Sequence, residues 1–201
     1  MPVQKIKRGY RKTKYILYKE TLIDFTENFW AFLGSFVGIG IIAYLQSQTL
    51  PHSDVVYLIG SFGASSVLVY GVIQSPLAQP RNLMGGHLVS AFAGVTVLQL
   101  VPDVIWLTAP LAVSSSIVLM QITKTLHPPG GATALIAVTG SAQIKALGYW
   151  YVLTPVLSGA FILLITALIF NNLTTKRHYP NHKKYYKIKN YVHHYFKERV
   201  S

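Results

Sequence analysis

Leu126-His127-Pro128-Pro129-Gly130-Gly131-Ala132-Thr133-Ala134-Leu135 lies between two long apolar runs. A histidine, two prolines and two glycines beside hydrocarbon leave backbone groups in need of partners that lipid cannot supply. At membrane depth such a break is tolerated where it is buried in protein or lines a cavity, which makes it a candidate site. The rest of the chain supports a membrane reading. Half of its 201 residues are hydrophobic, at a mean hydropathy of +0.38, and its charges are segregated. Of 18 Lys and Arg, 7 precede residue 21 and 8 follow residue 175; between Asn28 and Phe170 the formal charges are Asp54, Arg81, Asp103, Lys124 and Lys145. A membrane-embedded centre between two basic arms accounts for both the hydropathy and the net charge of +12.

The apolar runs predict an all-α, polytopic helical membrane protein of about six segments. They cover roughly 29–46, 55–73, 83–101, 104–123, a short or irregular fifth at 131–140, and 150–170. The fifth is too short to cross alone; extended to about 149, it crosses with Lys145 snorkelling to the far surface. Trp30 is placed as an interfacial anchor, and Gly60, Ser61, Gly63, Ala64, Ser65 and Ser66 as small residues for close helix packing. Ser114, Ser115 and Ser116 read the same way. The positive-inside rule puts both basic arms, with Arg81 and Lys124, in the cytoplasm, and Asp54 and Asp103 outside. The expected location is a bacterial cytoplasmic (inner) membrane. Five crossings would put a basic tail outside and rank second.

Three units follow: an arm at 1–28, a transmembrane domain at 29–170 and a tail at 171–201. Tyr15, Tyr18, Leu22, Phe25 and Phe29 recur at helical spacing, as do Ile188, Tyr191, Val192, Tyr195 and Phe196. With interleaved Lys and Arg, both arms read as amphipathic helices on anionic lipid headgroups, in preference to nucleic-acid binding. His178, His182, His193 and His194 fall in the solvated tail. No cleavable signal peptide or plastid transit peptide is expected. The absence of cysteine removes disulfides, thiolate metal sites and cysteine catalysis. No carboxylate is expected within hydrocarbon and His87 and His127 alone make a poor metal site, so neither an enzyme nor a metal or other cofactor is expected. A Ser–His dyad would need one indispensable serine paired with His87 or His127. Self-association is left open.

A second break precedes the first in sequence: Ser75-Pro76-Leu77-Ala78-Gln79-Pro80-Arg81-Asn82-Leu83-Met84-Gly85-Gly86-His87. Both breaks follow a span with a serine pair and carry a cation, proline and Gly-Gly. This is the form of a transporter's duplicated hairpin, or chance similarity of Ser- and Gly-rich sequence. If helices begin near Gly85 and Gly130, their unpaired N–H groups offer positive partial charge to a small anion. Arg81, Lys124, His87 and His127 would supply charge around a shared polar cavity, with Asn82, Ser75 and Thr133 as neutral partners. The bland readings stand beside this one: Arg81 and Lys124 as topology determinants, and His127 as a cap on the Pro-Pro turn.

The His-Pro-Pro-Gly-Gly-Ala-Thr-Ala motif, with the earlier proline–Arg-Asn–Gly-Gly-His string, resembles the signatures of the HPP family of integral membrane proteins over roughly 29–170. The motifs fall on Pro80, Arg81, Asn82, Gly85, Gly86 and His87, and on His127, Pro128, Pro129, Gly130 and Gly131. The resemblance implies transport, since family members with an assigned role look like nitrite transporters of photosynthetic cells. The chain departs from some relatives in having a short basic tail where they carry a C-terminal regulatory nucleotide-binding (CBS) pair, so gating by such a module is not expected. The function expected is therefore a transporter or channel for a small inorganic anion, nitrite first. The alternative is a non-transporting scaffold that recruits lipid or a partner through its arms.

Overall fold

The computed structural model describes residues 25–174 and 177–181, so the two expected arm helices lie outside the described residues. Five long apolar helices form the body: α1 (Phe25–Ser47), α2 (His52–Ser66, prolonged by one wide turn, Val67–Gly71), α3 (Pro80–Leu100), α4 (Ile105–Ile122) and a last helix, α7 (Ser158–Phe170, entered through Val152–Leu157). Between α4 and α7 stand α5 (Pro129–Thr139) and the short α6 (Ala142–Ala146). The chain is a polytopic helical membrane protein, as the sequence indicates, with no strand among the described residues.

Burial sorts the helices by role. α1 buries a narrow stripe, Gly34, Gly38, Ile42 and Gln46, at steps of four residues. Phe29, Phe32 and Phe36 project outward, as expected of a helix bordering lipid. Gly34 and Gly38 leave the space that Tyr70 fills, and its hydroxyl reaches Thr166 at 2.7 Å. α5 is the opposite case, with seven of its eleven residues buried. At 1.5 Å per residue it is about 16 Å long, roughly half a hydrocarbon core.

Nevertheless the segment from His127 to Lys145, with α5 at its centre, links the two ends of the bundle. Its start is tied to the loop between α2 and α3 through His127 and Leu77. Beyond its end, Ser141 binds Asp54 at the start of α2, and Lys145 pairs with Asp103 between α3 and α4 at 2.6 Å. The chain then returns through α7 to Asn171, whose amide donates to the Val69 carbonyl at the end of α2. Five helices are thus long and apolar enough to cross a membrane, α5 and α6 link the two ends of the bundle between α4 and α7, and Glu27 and Arg177 meet at one end. The lack of native cysteine allows a direct check. Single cysteines at Ser53 and Leu173 should react with an impermeant maleimide from opposite sides of the membrane. Labelling from one side would leave five crossings.

The tail departs from the expected solvated arm. Arg177 is 3% exposed. Its guanidinium donates to the carbonyls of Tyr70 and Glu27, to Asn171 Oδ1 and to the Glu27 carboxylate. Tyr179 is also buried and donates to the Ala78 carbonyl at 2.7 Å. His178 is half-buried rather than solvated. A guanidinium with five donors suits a place where several helix-end carbonyls converge, which charge counting along the sequence cannot foresee.

Candidate functional site

The two sequence breaks meet in the core. His87 lies two turns into α3, and His127 precedes the prolines of α5. Neither has any exposed surface, and their rings are 5.0 Å apart. Between them stands Ser65 of α2, its hydroxyl 2.8 Å from His87 Nε2 and 2.9 Å from His127 Nε2. The outer ring nitrogens are also held: His87 Nδ1 lies 2.8 Å from Thr133 Oγ1, and His127 Nδ1 lies 2.9 Å from the Leu77 carbonyl. Ser61 completes the set, bonding Thr133 and the Pro129 carbonyl, both at 2.9 Å. Phe62 packs on His87 at 5.1 Å between ring centres, and the Tyr151 hydroxyl donates to the Thr133 carbonyl. In this core each polar group has to find its partner within the protein.

The breaks also brace each other from outside the histidines. Arg81 donates to the Thr123 carbonyl at 2.8 Å and Asn82 to the Leu126 carbonyl at 2.7 Å, so residues of the first break cap the backbone of the second. Ser75 caps its own turn by accepting from the Leu77 N–H. Lys124, at φ 55°, is exposed on the loop before α5. Thus Arg81, Asn82, His87, His127 and Thr133 come together, with Lys124 at the rim.

The glycines act differently from the expectation. α3 begins at Pro80, so Gly85 and Gly86 sit inside the helix rather than at its start. Proline at the first helical position needs no N–H partner, and this fixes the earlier start. A Cβ at Gly85 would strike Thr125, and one at Gly86 would fall on His127 and 2.9 Å from the Thr125 carbonyl. Gly130 does lie in the first turn of α5, where a Cβ would meet Ser90 Oγ at 2.6 Å and Met120 sulfur at 3.1 Å. The N–H groups of Gly130 and Gly131 are already given to the carbonyls of His127 and Pro128, at 2.8 and 3.0 Å. The two breaks do come together, but the expected shared cavity is filled by the side chains meant to line it. Gly131 is the exception, its nearest neighbour being Val113 at 3.9 Å.

Three further residues stand out. Ser65 and Ser61 read as packing residues, yet they are one turn apart on the face of α2 that meets the histidines. That four-residue spacing was the available signal. Asp54 reads as an outer-loop charge, but it is 1% exposed and accepts from the backbone N–H (3.0 Å) and the hydroxyl (2.5 Å) of Ser141. It anchors the start of α2 to the start of α6. Ser114, Ser115 and Ser116 bond carbonyls of their own helix, as packing serines do. Among the described residues no group of three His, Cys, Asp or Glu forms a metal cluster.

A family model described as "HPP, transmembrane region" matches residues 20–180. Two transmembrane proteins of Dictyostelium discoideum are 47% and 46% identical to the chain over 160 residues, which is 78% of this chain in each case. Those residues are 56% and 51% of the relatives, so the chain spans about half the length of the curated relatives it matches. No solved structure matches.

Proposed function

This chain belongs to the HPP transmembrane family, and from that premise we propose that it is a membrane transporter for a small inorganic anion, with nitrite the first candidate. The observation that carries the reading is the buried His87–Ser65–His127 bridge at the junction of two helix breaks. Ionisable side chains inside a membrane bundle are costly to keep and mark pathways more often than packing. Arg81 and Lys124 add positive charge at the same end of the bundle and favour anions there. We take both termini to be cytoplasmic, in keeping with the basic residues at each end and the meeting of Glu27 with Arg177. The bacterial inner membrane remains a proposal, since the relatives named above come from a eukaryote. Anionic headgroups are the proposed partners of the arms, nucleic acid is not one, and no cofactor is required.

Protein reconstituted in liposomes should accelerate nitrite influx well above empty vesicles, and His87→Gln should reduce the rate to near theirs. Failure to move nitrite, nitrate, formate or chloride under any gradient would end the reading. The scaffold alternative needs a cut that leaves the fold intact. Because Arg177 and Tyr179 pack into the bundle, the informative truncation begins after them, at residue 182. Transport that survives this truncation but not His87→Gln separates the two readings. An intramembrane hydrolase is a distant third reading, in which Ser65, bonded to His127, would be the activated serine.

A further inference from the structure

The hydrogen bonds of the buried network can be counted against the protons available to make them. Ser61, Ser65 and Thr133 bring one hydroxyl proton each, and each neutral imidazole brings one, five in all. The short contacts number six: Ser61 to the Pro129 carbonyl, Ser61 to Thr133, Thr133 to His87 Nδ1, His87 Nε2 to Ser65, Ser65 to His127 Nε2, and His127 Nδ1 to the Leu77 carbonyl, all at 2.8–2.9 Å. Both ends are carbonyls, which only accept. With both histidines neutral, one contact therefore sets two lone pairs against each other. The longer alternatives, Ser65 to the Ser61 carbonyl at 3.2 Å and Thr133 to the Pro129 carbonyl at 3.5 Å, only withdraw a proton from the chain.

A sixth proton satisfies every contact. His127 then donates to Leu77, His87 to Thr133, Thr133 to Ser61 and Ser61 to Pro129. The two remaining contacts meet at Ser65, and the extra proton sits on either His87 Nε2 or His127 Nε2. These two arrangements interconvert through the Ser65 hydroxyl. From the other packed elements, the titratable Tyr151, just before the turn that enters α7, donates to the Thr133 carbonyl; α2 brings Ser61, Ser65 and Phe62. Arg81 is turned to the Thr123 carbonyl and Asp54 to Ser141, while Lys124 stays exposed on its loop.

We propose that His87, Ser65 and His127 form a one-proton site that is loaded together with the transported anion, an inference that rests on the anion-transport reading above. A lone charge in this dry core costs several kcal/mol. A monoanion supplies the countercharge, so each ligand raises the affinity for the other by the same factor. The proton is taken from hydronium of the bulk solution, which leaves as water while one imidazole N–H bond forms; no other bond is made or broken. The loaded pair is electrically neutral, and its movement is insensitive to membrane potential.

The test uses the full chain in detergent, lightly buffered, with a pH dye and with sodium nitrite and sodium nitrate as probes. Anion binding should draw up close to one proton per protein, and affinity should rise about tenfold for each unit of acidification where the free site is unprotonated. Ser65→Ala should abolish the proton uptake, whereas Ser65→Thr, which keeps the hydroxyl, should restore it. Binding of either anion without proton uptake would overturn the proton site and leave anion transport standing. With nitrite bound, histidine ¹⁵N NMR should show one imidazolium shared by two residues and missing from Ser65→Ala; two neutral imidazoles with the anion bound overturn the proton site. If neither anion binds and none is transported, the transport reading fails and the coupled site fails with it.

Discussion

Gly86→Val should leave little folded protein. A side chain at this position falls on His127 and within 2.9 Å of the Thr125 backbone, neither of which can swing aside as the tip of a long side chain could. His127 is held at both nitrogens, so displacing it also strains its bonds to Ser65 and Leu77. Overpacking of this kind costs about 1–3 kcal/mol or more, and the disturbed hydrogen bonds to buried groups add about 1–3 kcal/mol for each one lost. The measurement is the monodisperse fraction and melting temperature of purified protein. Gly131→Val is the control: with its nearest neighbour 3.9 Å away, it should stay within about 0.5 kcal/mol of the parent. Equal tolerance of both changes would show that α3 and α5 do not approach as closely as described. Gly130→Val should behave like Gly86→Val, because Ser90 and Met120 occupy the space; it is not a selective probe of ligand access.

Arg177→Met should be comparably damaging, although the residue stands outside the apolar spans. Removing the guanidinium leaves the carbonyls of Tyr70 and Glu27, the side chain of Asn171 and the Glu27 carboxylate without their donor. Truncating one partner of such a buried charged set costs about 3–5 kcal/mol. Arg177→Lys should recover only part of this, since an ammonium cannot span acceptors arranged for a planar fork. Thermal unfolding of the three proteins provides the comparison, and a methionine variant as stable as the parent would reduce Arg177 to a surface residue.

These residues also show how far the sequence could be read. Apolar runs of eighteen or more residues declared α1 to α4 and α7, because lipid imposes length and composition directly. That the two breaks open on one side followed from the alternation of crossings, but nothing in the sequence shows that they meet. The partner that joins them was not legible either. Ser65 lies in a span where small residues are common and says nothing by its type; only the position of α2 against α3 and α5 makes it a bridge. Nor could Gly86 be told apart from a glycine that exposes backbone to a ligand, because one residue type serves both close packing and close binding. Arg177 was hidden among 8 cations at 176–199, from which a charge count selects none.

The brevity of α5 bears on how the molecule is made. An eleven-residue segment opening with a proline and two glycines is not greasy enough to be threaded into a bilayer on its own account. Its neighbours have to be in place first, with α4 delivering its leading end and α7 drawing the chain back from the far side. Synthesis halted before α7 would leave α5 without that second hand. Biogenesis is therefore ordered, a frame of long helices followed by a late keystone. Because that keystone carries Thr133 and follows His127, the bundle acquires its polar centre only when assembly is complete.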